Sequence, residues 1–323
     1  MTQTYLEAIR AALWEEMERD ERVFLLGEDI AAYGGAFKVT GGFAARFGAE
    51  RVIDTTISEA AIVGAAVGAA LSGLRPVAEM QFIDFIACGF NQITNWAAKC
   101  RYRTGRGVPL VIRGPGGGYV RGGPFHSQNV EAYFLHTAGL KVVYPSTAED
   151  AKGLLLAAIR DPDPVLFFEH KFLYRRVKGE IAEGSDAVPI GEAATRREGR
   201  DVSVITYGAT VAIACDAADE MEREGVSVEV IDLRTLRPFD EDAVLAAARR
   251  TGKVLVLHED HLTGGAGAEV AARIAEKAFD YLDGPVMRVA ALDTPVPFAG
   301  ALEDRVLPDR ARVVAALREL AAY

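Results

Sequence analysis

A carboxylate stands where a strand meets a helix in Asp54-Thr55-Thr56-Ile57-Ser58-Glu59. Val52-Ile53 reads as a short buried strand, and Ser58 is a good N-cap for the small-residue helix that follows. In an open α/β sheet, a carboxylate at a strand end and helix start lies at the edge where ligands bind. Taken alone, Glu59 also suits the helix dipole, an effect of about a few tenths of a kcal/mol. Further along, Gln81 and Phe85 follow a strand ending at Met80. An amide and a ring four residues apart can hydrogen-bond and stack on a planar heterocycle, although Phe82 and Phe85 would equally serve a core.

A second candidate is His126, the residue type that exchanges protons near neutral pH. It follows a glycine-rich loop, Gly114 to Pro124, that itself follows a predicted strand. Such a loop can wrap an anion with backbone amides, or simply be a mobile surface loop. It is no dinucleotide fingerprint, because Arg121 stands where the third glycine should be, and it lacks the Gly-Lys-Ser/Thr of a P-loop.

The elements that must carry these residues form two series. From Val23 to Glu169, strand-like runs at 23–26, 52–53, 77–80, 108–112, 140–144 and 165–168 alternate with helices near 59–74, 84–103 and 147–160. The last helix opens with a capping box, Ser146 to Glu149. Apolar strands alternating with helices indicate a doubly wound parallel sheet covered on both faces. A second cycle has strands at 202–206, 226–231, 254–257 and 286–289, with helices near 209–224, 240–250 and 267–282. The expected division is 1–178, a linker at 179–200, and 201–323. In the helix at 59–74, Gly64 and Gly68 call for close approach by another element, inside the chain or at an interface.

Composition narrows the function. The chain has 323 residues, half of them apolar, and a formal charge of −10 without a long single-sign run. Nucleic acid and anionic membranes are therefore poor partners. The three cysteines show no CxxC spacing, which fits a reducing compartment. Residues 1–20 form a charged amphipathic helical pattern rather than a signal peptide. The apolar stretch 60–74 is too short to span a bilayer. A cytoplasmic protein is expected.

A set of motifs in one order makes a family resemblance: Gly27-Glu28-Asp29, Ile57-Ser58-Glu59, Gly73-Leu74-Arg75-Pro76, His126-Ser127-Gln128, Asp150-Ala151-Lys152-Gly153, Asp232-Leu233-Arg234-Thr235, Gly264-Gly265 and Asp293-Thr294-Pro295. From near residue 4 to the carboxyl terminus, the sequence resembles the β subunit of the thiamine-diphosphate-dependent 2-oxo acid dehydrogenases, the E1 component. One departure is Thr104 to Val108, a couple of residues shorter than the family's usual loop. The resemblance implies a pyrimidine-binding transketolase-like domain followed by a C-terminal transketolase-like domain. It also implies that Glu59 bonds N1′ of the cofactor's aminopyrimidine and favours the imino tautomer that removes the thiazolium C2 proton. That role wants a dry site and a raised carboxyl pKa. Phe85 matches the ring stacked on the pyrimidine, and Glu28, Ile57, Ser58 and Gln81 match its surroundings. His126 matches the histidine of reductive acylation of the lipoyl group.

The chain has no Gly-Asp-Gly, the usual start of a metal–diphosphate motif. The resemblance therefore implies that Mg²⁺ and the diphosphate are held mainly by an E1 α subunit, in an α2β2 heterotetramer serving the lipoyl domain of an E2 core. It also places a monovalent-cation site, for K⁺, on Leu110, Val111, Ala158, Asp161 and Asp163. Ala78 to Phe82 and Phe168 to Lys171 look like bacterial branched-chain sequences, which favours branched-chain 2-oxo acids over pyruvate. Acetoin cleavage, half of a transketolase or deoxyxylulose-phosphate synthase, and a non-enzymatic scaffold subunit are the rival expectations.

Overall fold

The computed structural model describes residues 2–182, 184 and 187–323. Glu183, Ser185 and Asp186 of the expected linker lie outside the described residues. The chain forms two compact units, Met1–Gly116 with Tyr133–Ile190, and Gly117–Ala132 with Gly191–Tyr323.

In the first unit, six apolar runs become parallel strands: β1 (Val23–Gly27), β2 (Val52–Asp54), β3 (Arg75–Glu79), β4 (Val111–Gly116), β5 (Lys141–Val143) and β6 (Val165–His170). They lie in the order β5-β6-β4-β3-β1-β2, all parallel. Near-continuous apolar strands of this kind are buried on both faces, and β4 and β6 are buried at every position. The helices are α1 (Tyr5–Arg19), α2 (Glu59–Leu71), α3 (Ala98–Thr104) and α4 (Ala148–Arg160). Helix α1 opens on a complete capping box between Thr4 and Glu7 and packs against α4 through its buried Ile9–Leu13 stripe.

Two local expectations are corrected. Helix α4 is capped by Thr147, whose side chain accepts from the Asp150 amide at 3.2 Å, rather than by Ser146. The stretch 84–103 is no single α-helix: Ile83–Gly89 is 3₁₀, Gln92–Ala97 is π-helical, and only Ala98–Thr104 is α. Gly89 explains part of this, because a Cβ there would stand 2.8 Å from Val63, so the backbone runs hard against α2. Of the α2 glycines, Gly64 approaches Gln92 only loosely, and Gly68 meets nothing within 4 Å.

In the second unit, β7 (Ala194–Arg197), β8 (Val202–Thr206), β9 (Val228–Asp232), β10 (Val254–His261) and β11 (Met287–Ala291) lie in the order β11-β10-β8-β9-β7. All pairs are parallel except β7, which runs antiparallel at the edge. The stretch expected to be linker thus supplies a strand. Helices α5 (Thr210–Arg223), α6 (Glu241–Thr251), α7 (Ala266–Lys277), α8 (Gly300–Val306) and α9 (Arg310–Ala321) complete the layers. Val204, Met221, Leu255, Val313 and Leu317 share its main core.

Candidate active site

Parallel register brings three strand ends to one edge in the first unit. Gly27 of β1 pairs with Asp54 of β2 and with Glu79 of β3. The residues just beyond them are Glu28, Thr55 to Glu59, and Gln81. Asp54 fixes the edge: its carboxylate accepts from the Ala31 amide at 2.6 Å and the Ala32 amide at 3.0 Å, while the Thr55 amide donates to the Gly27 carbonyl at 2.9 Å. The loop after β1 is thereby tied to the loop after β2, and Glu28 faces Glu59.

The two carboxyl groups differ in environment. Glu28 is 6 % exposed, and its Oε1 is buried without a hydrogen-bond partner among the described residues. Burial first, then the Glu59 charge, then Asp29, push its carboxyl above the usual carboxylate range. Glu59 is half-buried at the first position of α2. Ser58 occupies the N-cap position but makes no capping hydrogen bond, contrary to expectation, and Ile57 is 83 % exposed. Gln81 and Phe85 are half-buried, and the Phe85 ring stands perpendicular to Phe82 at 6.4 Å. A buried acceptor with an unmet bond, a second carboxylate, an amide and a ring at one sheet edge fit a planar, nitrogen-bearing heterocycle.

Beneath that edge lies a network that the sequence reading missed. Arg113 of β4 is fully buried and binds Glu79 of β3 and Glu169 of β6, its Nη2 reaching Glu169 Oε2 at 2.6 Å; Tyr174 donates to the same carboxylate. The Met80 amide also donates to the Arg113 carbonyl at 2.8 Å, so the network fixes the strand end from which Gln81 and Phe85 depart. The available signal was charge inside apolar strands, since buried charges must be paired.

His126 belongs to the second unit, within Gly117–Ala132. The loop leading to it is not free, as expected, but tied down. Arg121 pairs with Glu303 and Asp304, the Tyr119 hydroxyl donates to the Pro308 carbonyl at 2.9 Å, and the Tyr119 ring packs against Val306 and Leu307. The Gly118 amide and the Asn129 side chain both donate to Glu259 Oε1, and the Tyr207 hydroxyl donates to Glu131. His126 is half-buried, with its amide donating to the Gly123 carbonyl at 3.3 Å. Burial and Asp260 hold the Glu131 carboxyl well above the usual range, and burial pushes Asp260 itself up to about 6.

The five positions expected to bind a monovalent cation sit in the first unit, where their acceptors are already engaged. The Leu110 carbonyl accepts from the Val165 amide and the Ala158 carbonyl from the Asp161 amide. Asp161 binds Lys141, Asp163 binds Arg101, and the Asp161 carbonyl takes Arg75 at 3.2 Å. Among the described residues no group of three His, Cys, Asp or Glu could hold a metal ion, and no helix is long and apolar enough to cross a membrane.

Fold and sheet-edge carboxylates define a two-domain α/β protein of transketolase type. Residues 1–177 match the transketolase pyrimidine-binding domain and residues 191–313 the transketolase C-terminal domain. A split-gene transketolase, described as an inactive β4 tetramer, superposes with a TM-score of 0.80 over 99 % of this chain and 98 % of that one, at 24 % identity. The 2-oxoisovalerate dehydrogenase subunit beta of Bacillus subtilis is 51 % identical over 99 % of both chains. The pyruvate dehydrogenase E1 component subunit beta of Rhizobium meliloti is 45 % identical over 98 % of this chain and 69 % of that one. An acetoin:2,6-dichlorophenolindophenol oxidoreductase subunit beta of Cupriavidus necator is 45 % identical over 97 % of this chain and 95 % of that one. The chain belongs to the transketolase family and, within it, to the E1 β subunits of the 2-oxo acid dehydrogenases.

Proposed function

We propose that this E1 β subunit serves decarboxylation of a branched-chain 2-oxo acid and transfer of the acyl group to a lipoyl domain, in the cytoplasm, as half of an α2β2 heterotetramer. The observation that carries the reading is the carboxylate pair at the strand edge, with a buried, unpartnered Glu28 oxygen beside Glu59. Glu59 holds and returns the proton at the aminopyrimidine N1′ of thiamine diphosphate. Phe85 packs on that ring, while Glu28, Ile57, Ser58 and Gln81 line it. Glu28 kept protonated donates rather than repels, which leaves Glu59 as the one charge at the edge. Bound thiamine diphosphate supplies the carbanion-stabilising centre that a 2-oxo acid needs to lose carbon dioxide. His126 moves the proton in acyl transfer.

Mg²⁺ and the diphosphate belong to the α subunit in this reading, which the absence of Gly-Asp-Gly supports. The branched-chain preference rests on the 51 % identity to the 2-oxoisovalerate enzyme's subunit. Its test is the reconstituted tetramer assayed with 3-methyl-2-oxobutanoate, pyruvate and acetoin; a higher kcat/KM for either of the latter two overturns the preference. For the monovalent cation, each carbonyl at Leu110 and Ala158 keeps a second lone pair. KCl in place of choline chloride is then expected to raise the melting temperature of the tetramer, and equal values refute the site.

A further inference from the structure

Sixteen residues leave the first unit and pack with the second, Gly117–Ala132, and they carry His126. Their base is closed at one point. The Gly117 amide donates to the Gln128 carbonyl at 3.1 Å. Beside that pair, one oxygen of Glu259 accepts from the Gly118 amide at 2.6 Å and from Asn129 Nδ2 at 2.8 Å. The two donors stand on the two stems of the loop, so a single atom holds both. Glu259 is buried near the end of β10. Gly118 fits only without a side chain, because a Cβ there would stand 2.4 Å from Leu307. The loop is thus pressed onto the carboxylate from its far side.

We propose that Glu259 is a positioning residue for acyl transfer: it clamps both stems of the His126 loop and sets where the imidazole stands. The inference rests on the role given to His126 above. A displacement of about 1 Å in a reacting group costs on the order of 10²-fold in rate, so a loosened clamp is read as lost transfer. Decarboxylation uses the Glu59 edge and does not depend on the clamp.

The test uses the reconstituted α2β2 tetramer with E2, comparing Glu259→Ala, Glu259→Gln and His126→Ala. Decarboxylation is followed with an artificial electron acceptor, overall turnover with E2, and loop order by amide hydrogen exchange of peptides spanning 117–132. Glu259→Ala is expected to lower E2-coupled turnover by about 10–100-fold, with decarboxylation kept and exchange in the loop accelerated. Glu259→Gln, which keeps the accepting oxygen, is expected to restore both. Unchanged exchange in Glu259→Ala, or a glutamine variant as impaired as the alanine one, overturns the clamp. Loss of both activities together with a lower melting temperature also overturns it in favour of a structural role. If Glu259→Ala does not fold, Asn129→Ala removes one donor from the loop side and must show the same pattern, more weakly. His126→Ala separates the two readings: if it fails to divide the activities, the role of His126 is wrong, whereas loop exchange reports on Glu259 regardless.

Discussion

Glu28 and Glu59 are one charge apart in what the fold tolerates, and Glu59 is the one placed to exchange a proton. Glutamine at position 59 keeps the shape and loses the exchange. C2 deuterium exchange of the bound cofactor in the tetramer is expected to fall by about 10²–10⁴-fold in Glu59→Gln, with folding unaffected. An unchanged exchange rate would remove Glu59 from the chemistry. Glu59, Gln81 and Phe85 were legible because they sit at strand ends that apolar runs announce. Glu259 was not: its donors lie 141 and 130 residues away in sequence, and only the finished fold brings them to one oxygen.

At the level of elements, the Arg113 network joins three neighbouring strands. Removing the cation leaves two buried carboxylates facing each other, so Arg113→Met is expected to destabilise the protein by about 3–5 kcal/mol. Urea unfolding checks this, and adding Glu79→Gln and Glu169→Gln should recover part of the loss. A drop below about 1 kcal/mol for the single variant would mean the charges are solvated after all. Asp260, at the end of β10, makes a pH-dependent counterpart. Its folded pKa of about 6 stands above the model value of 3.8, raised first by burial and also by Glu259, with His261 opposing. The protonated form is favoured by folding, so this contribution is complete below about pH 4 and is lost as pH rises through about 6. Asp260→Asn, which keeps the acceptor for the His261 amide, is expected to gain about 1–3 kcal/mol near pH 7.5 and almost nothing near pH 4. Equal gains at both pH values would refute the assignment. The alternation of strands and helices was readable from apolar periodicity. The 3₁₀ and π turns of 83–97 were not, because they answer to a contact between Gly89 and Val63 rather than to local propensity.

For the whole molecule, the first unit presents one edge of a site and the sequence supplies no motif for a diphosphate-bound metal. The isolated chain is therefore expected to bind thiamine diphosphate with Mg²⁺ negligibly, and calorimetry showing micromolar affinity without the α subunit would contradict the half-site. The excursion of Gly117–Ala132 into the second unit also orders events during synthesis. The first unit can close its sheet soon after residue 170 leaves the ribosome, yet the acceptors for the His126 loop are Glu259, Glu303 and Pro308. At about 5–20 residues per second, the loop waits roughly ten to thirty-five seconds for them. A nascent chain arrested before residue 259 would carry a folded first sheet and an untethered His126 loop open to protease. Completion of translation, rather than formation of the first sheet, is then what makes the loop resistant.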